Sequence, residues 1–304
     1  MNGARKVYAV DNASTIIRQA SLIVEHNKLS HIITLIEGKI EKITLPEKVD
    51  IIVSEWMGYF LLYEYMIESL IYARDNWLKE GGKMFPSKAS LFLCPFSEPS
   101  LYEERLSKWG EMEKEYGYGV DFTPLIPLAR SVFFSEPQIQ LLEPTKEISF
   151  SSLVKQFDLL KVTLEEVESF SSTFSFYSIG SSSFNGFAGW FQVDFNQSEI
   201  QSEIQSEIQT QIRECQNQKQ SFPLQQEKKK GEERSLILST SPSSTPTHWR
   251  QTLFFFDPVV NVFQDDLIEG SFTVCRSPKS RRGLLVSFQF KVSSQSFSKQ
   301  FYLH

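Results

Sequence analysis

The most constraining feature of the 304-residue sequence is a change of period near Pro86. Before it, apolar runs alternate with helical patterns. Lys6-Val7-Tyr8-Ala9-Val10 is a short β-prone run ending at Asp11-Asn12, and a helical pattern follows through Ile16, Ile17, Ala20 and Ile23 to His26. His31 to Ile36 and Val49 to Val53 are two further strand-like runs, and Tyr63 to Leu78 has the spacing of a second helix. Strands alternating with helices predict a parallel α/β sheet. After Gly81-Gly82 and Pro86, short Phe-, Val- and Ser-rich runs alternate with turns, as in Ser171 to Ile179, Gly186 to Phe195 and Leu284 to Val292. That grammar predicts an all-β second part, a barrel or a sandwich. Two units are therefore expected, over residues 1–86 and 87–304. Tyr102 to Tyr118 is a charged helical stretch carrying Trp109, long enough to project as an arm.

Composition narrows the partners. Hydrophobic content of 41% and aromatic content of 13% are enough to bury a core in each unit. A net charge of −6 disfavours a general binder of nucleic-acid backbone and favours a cationic partner. Cys94, Cys215 and Cys275 are widely spaced and odd in number, so neither a metal-ligand pair nor a disulfide framework is expected, and the default is a reducing compartment. No run of about 18 apolar residues is present and the start lacks a signal peptide's apolar core, which predicts a nuclear or cytoplasmic protein without a membrane anchor. Residues 196–234 read as an insertion: Gln197 to Ile212 repeats Gln-Ser-Glu-Ile three times, then Gln-Thr-Gln-Ile, with Lys228-Lys229-Lys230 beyond. A four-residue period aligns Ile200, Ile204, Ile208 and Ile212 along a drifting helical stripe, whereas the low complexity favours a loop.

The run Ser54-Glu55-Trp56-Met57-Gly58-Tyr59-Phe60-Leu61-Leu62-Tyr63-Glu64 directly follows a buried strand. Open α/β sheets place ligands at the carboxyl ends of their strands, so two glutamates on such a loop can close on one guest. A guanidinium suits them, because its planar fork of donors stays charged and accepts bidentate carboxylates. On spacing alone, the pair reads more readily as ordinary surface acids.

Ser54 to Tyr59, followed by Tyr63-Glu64, resembles the double-glutamate loop of the protein arginine methyltransferases. The resemblance continues through Ala4 to Asp11, Trp77 to Gly82 and Thr247-His248-Trp249-Arg250-Gln251, and covers nearly the whole chain except the tetrads. Gly189 to Val193 and Leu236 to Pro242 resemble the family's sixth mammalian branch, which is largely nuclear and acts on histone tails. The resemblance implies a partial Rossmann-like methyltransferase domain that uses S-adenosylmethionine, then a β-barrel carrying a helical dimerisation arm at about 102–126.

It also implies roles, residue by residue. Glu55 and Glu64 grip the substrate arginine, with Glu64 receiving the released proton and His248 a relay whose acidic partner lies upstream in the family. Met57, Tyr59 and Trp249 line the substrate pocket. Asp11 meets the ribose hydroxyls, or in the bland alternative caps a helix beginning near Ala13; Glu41 and Ile40 meet the adenine, and Met66 lines the cofactor side. No metal is implied. The implied products are monomethyl- and asymmetric dimethylarginine on histone tails and Arg/Gly-rich segments, made by a homodimer. The family's Asp-x-Gly-x-Gly-x-Gly loop belongs one helix upstream of Val7, where only Gly3 is present. That reads as an N-terminal truncation and predicts weak cofactor binding by this chain alone. It supports a second expectation: a catalytically impaired chain acting through association with a homologue.

Overall fold

The computed structural model describes residues 3–195 and 236–304, apart from residue 118. The tetrads, Cys215 and the lysine triplet lie outside the described residues. The first part consists of two parallel strand pairs, each crossed by a helix. Strand β1 (Val7–Asp11) leads through helix α1 (Ser14–His26) to β2 (Ile33–Glu37), paired in register from Val7↔Ile33 to Asp11↔Glu37. Strand β3 (Val49–Val53) leads through α2 (Ile67–Trp77) to β4 (Leu78–Phe85), with Val53 opposite Phe85. β-Branched residues dominate β2 and β3 because their stiff side chains suit a pleated surface.

Two sequence expectations need correction here. Asp11 is not the cap of α1; that position is Ala13, which offers no side-chain bond. Asp11 Oδ1 instead accepts the Ala13 N–H at 2.7 Å, a local turn that leads the chain from β1 into the helix. The second helix does not begin at Tyr63. Phe60, Leu61, Glu64 and Tyr65 all have positive φ, from 49° to 74°, so the chain coils as a loop until Ile67. The apolar spacing that suggests a helix there reflects burial on several sides.

The second part is all-β. Strands β5 (Lys88–Phe96), β6 (Gln138–Gln140), β7 (Ser152–Asp158), β9 (Ser182–Asp194), β10 (Ile237–Ser239) and β11 (Gln251–Val262) form one antiparallel sheet. Its order is β6-β11-β9-β5-β7, with β10 also on β9. Strands β8 (Ser169–Tyr177), β12 (Leu267–Arg276), β13 (Leu284–Val292) and β14 (Gln295–Leu303) form the other, in the order β14-β13-β12-β8. Phenylalanines close the space between them. Phe187 on β9 lies 4.9 Å from Phe174, 5.3 Å from Phe288 and 5.0 Å from Phe290, ring centre to ring centre. Strand alternation makes this possible, since every second residue of β13 points inward. The α/β part followed by a barrel-like β part bears out the fold class.

Between β5 and β6 the chain leaves the barrel as α3 (Pro99–Tyr116) and α4 (Ile126–Ser135). The helical excursion thus runs further than residues 102–126. Helix α4 returns to the barrel through Phe133 and Phe134, with Phe133 4.9 Å from Phe255 of β11. A short helix, α5 (Leu164–Glu168), is held by a capping box between Thr163 and Glu166.

Candidate active site

The loop from Ser54 to Met66 carries the chain from the parallel strands into the β part. Its own hydrogen bonds fold it tightly: Gly58 N–H donates to Leu61 C=O at 2.9 Å, and Tyr63 N–H to Tyr59 C=O at 3.1 Å. Only glycine fits at position 58, since an added Cβ would stand 1.8 Å from the Tyr63 carbonyl oxygen. The four left-handed residues each cost on the order of 1 kcal/mol or more, a strain that persists only when burial over-determines the backbone. That burial is present. Trp56, Met57, Phe60, Leu61 and Leu62 are all buried, and Phe60 stands edge-on to Phe254 at 5.1 Å, over the space that Gly189 leaves open on β9.

The Thr247-His248-Trp249 segment meets this loop from the barrel side. Trp249 Nε1 donates to the Met57 carbonyl at 2.8 Å, and its ring is edge-on to Phe191 at 5.4 Å. The His248 ring lies against Trp249, 3.9 Å between centres, and the residue is exposed. Two buried donors at this junction, Trp56 Nε1 and Thr247 Oγ1, have no hydrogen-bond partner among the described residues.

While the apolar side chains turn inward, both carboxylates stay accessible to solvent. Glu55 is exposed and its Oε1 accepts the Met57 N–H at 3.2 Å. Glu64 is partly exposed, its Oε1 2.8 Å from Nη2 of Arg282. Behind it, Tyr65 is buried and its hydroxyl donates to the Val167 carbonyl at 3.0 Å; burial pushes that phenol well above its ordinary range. Arg276 then makes a two-pronged pair with Glu68, 3.0 and 2.7 Å, and stacks its guanidinium 4.3 Å from the Tyr65 ring. The hydrogen bonds to Glu68 also raise the Arg276 pKa above its usual value. On the same helix, Arg74 Nη1 donates to the carbonyls of Leu159 and Val162 at 3.0 and 2.7 Å, docking α2 against the β part.

The residues assigned to the cofactor collect at the carboxyl ends of β1 and β2. Asp11 and Glu37 stand opposite each other in register there, and Gly38 N–H donates to Asp11 C=O at 2.9 Å, bringing the Gly38 to Glu41 turn alongside. Ile40 is half-buried in that turn. Glu41 Oε1 accepts from Ser69 Oγ, one helical turn beyond Met66, so Glu41 and the exposed Met66 border one region. Exposed carboxylates fit the hydroxyl and amine donors of an adenosine moiety. Sequence reasoning brought out Glu55, Glu64, Asp11 and Glu41, but missed Glu37, Arg276 and Arg282. In the run Arg276-Ser277-Pro278-Lys279-Ser280-Arg281-Arg282-Gly283, no local signal ties either arginine to residues more than 200 positions earlier.

An open parallel unit with acids at its strand ends, feeding a carboxylate-bearing loop into a barrel, defines a two-part group-transfer enzyme. Comparison with known proteins makes the class specific. Residues 87–214 and 221–295 match the arginine methyltransferase oligomerization subdomain. A probable protein arginine N-methyltransferase 6 of Arabidopsis thaliana is 36% identical over 298 residues, 98% of this chain and 67% of that protein. The protein arginine N-methyltransferase 6 of Danio rerio is 36% identical over 98% of this chain and 75% of its own length. Among solved structures, the Trypanosoma brucei PRMT1 enzyme-prozyme heterotetrameric complex with AdoHcy superposes with a TM-score of 0.79 at 27% identity, over 99% of this chain and 83% of that one. Arabidopsis thaliana protein arginine methyltransferase 10 gives 0.76 at 30% identity, over 99% and 84%. The chain belongs to the protein arginine N-methyltransferase family, whose cofactor is S-adenosylmethionine.

Proposed function

We propose that Glu55 and Glu64 hold the guanidinium of a substrate arginine while a methyl group from S-adenosylmethionine is transferred to one of its terminal nitrogens. The observation that carries this reading is the Ser54–Met66 loop, which buries Trp56, Met57, Phe60, Leu61, Leu62 and Tyr65 and leaves its two carboxylates accessible. S-adenosylmethionine supplies a methyl on an electrophilic sulfonium. The chain's own residues do the rest. Two carboxylates orient the planar guanidinium and offset the meeting of two cations. Glu64 receives the proton shed by the nitrogen, with His248 as its relay. Met57, Tyr59 and Trp249 wall the substrate side, and Tyr59 stacks on Tyr63 at 5.9 Å. Asp11, Ile40, Glu41 and Met66 hold the adenosine.

The products are monomethyl- and asymmetric dimethylarginine, and the substrates are histone tails and Arg/Gly-rich segments, consistent with the net charge of −6. The resemblance of Gly189 to Val193 and Leu236 to Pro242 to the sixth mammalian branch implies a nuclear location, checked by imaging the tagged chain in cells. The protein works as a homodimer through its α3–α4 arm. A second reading, association with a homologue in place of turnover, has support in the likeness to an enzyme-prozyme complex.

Glu55→Gln decides between them. With radiolabelled S-adenosylmethionine and an Arg/Gly-rich peptide, the parent should incorporate label and the variant should lose at least about a hundredfold, as expected for one group of a preorganised charge clamp. Equal turnover by parent and variant would reject the clamp; no label with either, alongside co-purification of an active homologue, would support the association reading.

A further inference from the structure

The end of β12 and the turn that follows it reach the carboxylate-bearing loop through Arg276 and Arg282, at the left-handed residues Glu64 and Tyr65. Glu64 has two attachments to one residue. Its N–H donates to the Arg282 carbonyl at 2.8 Å, and its Oε1 lies 2.8 Å from Arg282 Nη2. Glu64 and the following Tyr65 both have positive φ, at 74° and 58°, so something must hold this backbone against relaxation. Arg276 does so one step further on, through Glu68 and the face of Tyr65. Its Nε donates to Arg281 C=O at 3.0 Å, which joins the two arginine contacts into one network.

The turn itself is stiff enough to act as a support. Ser277 N–H donates to Gly283 C=O at 2.9 Å, and Gly283 N–H to Ser280 C=O at 3.2 Å. Gly283 sits so close to β14 that an added Cβ would stand 2.7 Å from the Leu303 carbonyl oxygen.

We propose that Arg282 is a positioning residue for Glu64, fixing the direction in which this carboxylate meets the substrate guanidinium. The proposal rests on the reading of Glu64 as one half of the clamp. A carboxylate has about four acceptor sites on two oxygens, so Arg282 on Oε1 leaves room for a second guanidinium. Two opposing effects follow from its charge. Arg282 repels the incoming guanidinium, and it holds the carboxylate still. Because the Arg282 side chain is 67% exposed, solvent and salt screen the ion pair and the repulsion alike, but the pair acts at 2.8 Å on a carboxylate whose own N–H is anchored to the Arg282 carbonyl, whereas the repulsion acts across that carboxylate at a longer distance. Positioning therefore wins over competition.

The test is calorimetric titration of the full chain with the peptide Gly-Gly-Arg-Gly-Gly, across Arg282→Ala, Arg282→Lys, Glu64→Gln and the Arg282→Ala/Glu64→Gln double variant. Arg282→Ala keeps the carbonyl that receives the Glu64 N–H, and each variant's melting temperature reports its folding. The expected result is roughly tenfold weaker binding for Arg282→Ala, partial recovery with Arg282→Lys, and no added loss when Arg282→Ala is placed on Glu64→Gln, the non-additivity of a coupled pair. Unchanged or tighter binding by Arg282→Ala, with Glu64→Gln still weakened, would overturn the positioning role, the tighter case making Arg282 a competitor for the carboxylate. No binding by the parent, or no loss in Glu64→Gln, would instead remove the clamp and the positioning role with it.

Discussion

Gly58 shows how much of the site depends on one missing side chain. The atom that a Cβ would strike is a backbone carbonyl, 1.8 Å away, so no rotamer change relieves it and the loop itself must open. Opening lengthens the Gly58 to Leu61 bond and loosens Phe60 from the place it fills above Gly189. Gly58→Ala should therefore lower unfolding free energy by about 2 kcal/mol or more, a strain-and-repacking effect. It should also lower peptide affinity, since Glu55 and Glu64 flank the disturbed segment. Urea unfolding beside the same titration checks both, and a variant as stable as the parent would contradict the proposed close approach.

Among the elements, β1, α1 and β3 were legible because each is a run of residues whose period matches one structure. β3 was read as Val49 to Val53 and has those bounds. Ser54 to Glu64 was legible as a loop, but its continuation from Tyr63 to Met66 was read as the start of a helix. It is apolar enough for a helix, and what holds it out of one is the contact of the loop with Phe254, Gly189 and the β12–β13 turn, all distant in sequence. Glu55 and Glu64 could be singled out from a motif, but Arg282 could not, because its importance lies in a tertiary contact. The same holds where α4 meets β14. Lys299 of β14 places its ammonium 5.0 Å from the ring of Phe134 and 5.0 Å from that of Phe301, with a long 3.4 Å bond to the Phe255 carbonyl. Burial pushes its pKa down to about 8, only partly opposed by Asp257, which is itself paired with Arg130 of α4. The folded pKa lies below the ordinary 10.5, so the unfolded chain binds more protons between these values and stability rises with pH across that window. Below pH 8 the folded state carries the cost of the desolvated charge in full. Lys299→Met keeps the apolar stem and removes the charge. It should add about 1 kcal/mol at pH 7, after allowing for lost cation–π attraction and partial solvation, and the gain should vanish by pH 10.5. Urea unfolding of both proteins at the two pH values measures it; a gain that grows with pH would contradict the sign.

At the scale of the whole molecule, two groups of apolar side chains stay exposed among the described residues. The arm presents Leu128, 63% exposed, and Val132 one helical turn on, while Phe133 and Phe134 of the same helix are buried against the barrel. Helix α1, in the other part of the chain, presents Leu22, 69% exposed, with Ile23 and Ile16. Single exposed apolar residues are ordinary, but two grouped faces on separate elements suit a two-fold dimer in which the arm of one copy covers α1 of the next. The symmetry makes a paired prediction. Leu128→Glu with Val132→Glu removes one half of each contact and Leu22→Glu the other half, so either variant alone should convert a dimer to a monomer in light scattering. Both should keep the parent's melting temperature at concentrations where the parent is also monomeric, because these side chains are exposed in the isolated chain. A dimer that survives the arm variant but not the α1 variant would mean that α1 pairs with something other than the arm, whereas loss in both places the two faces in one interface.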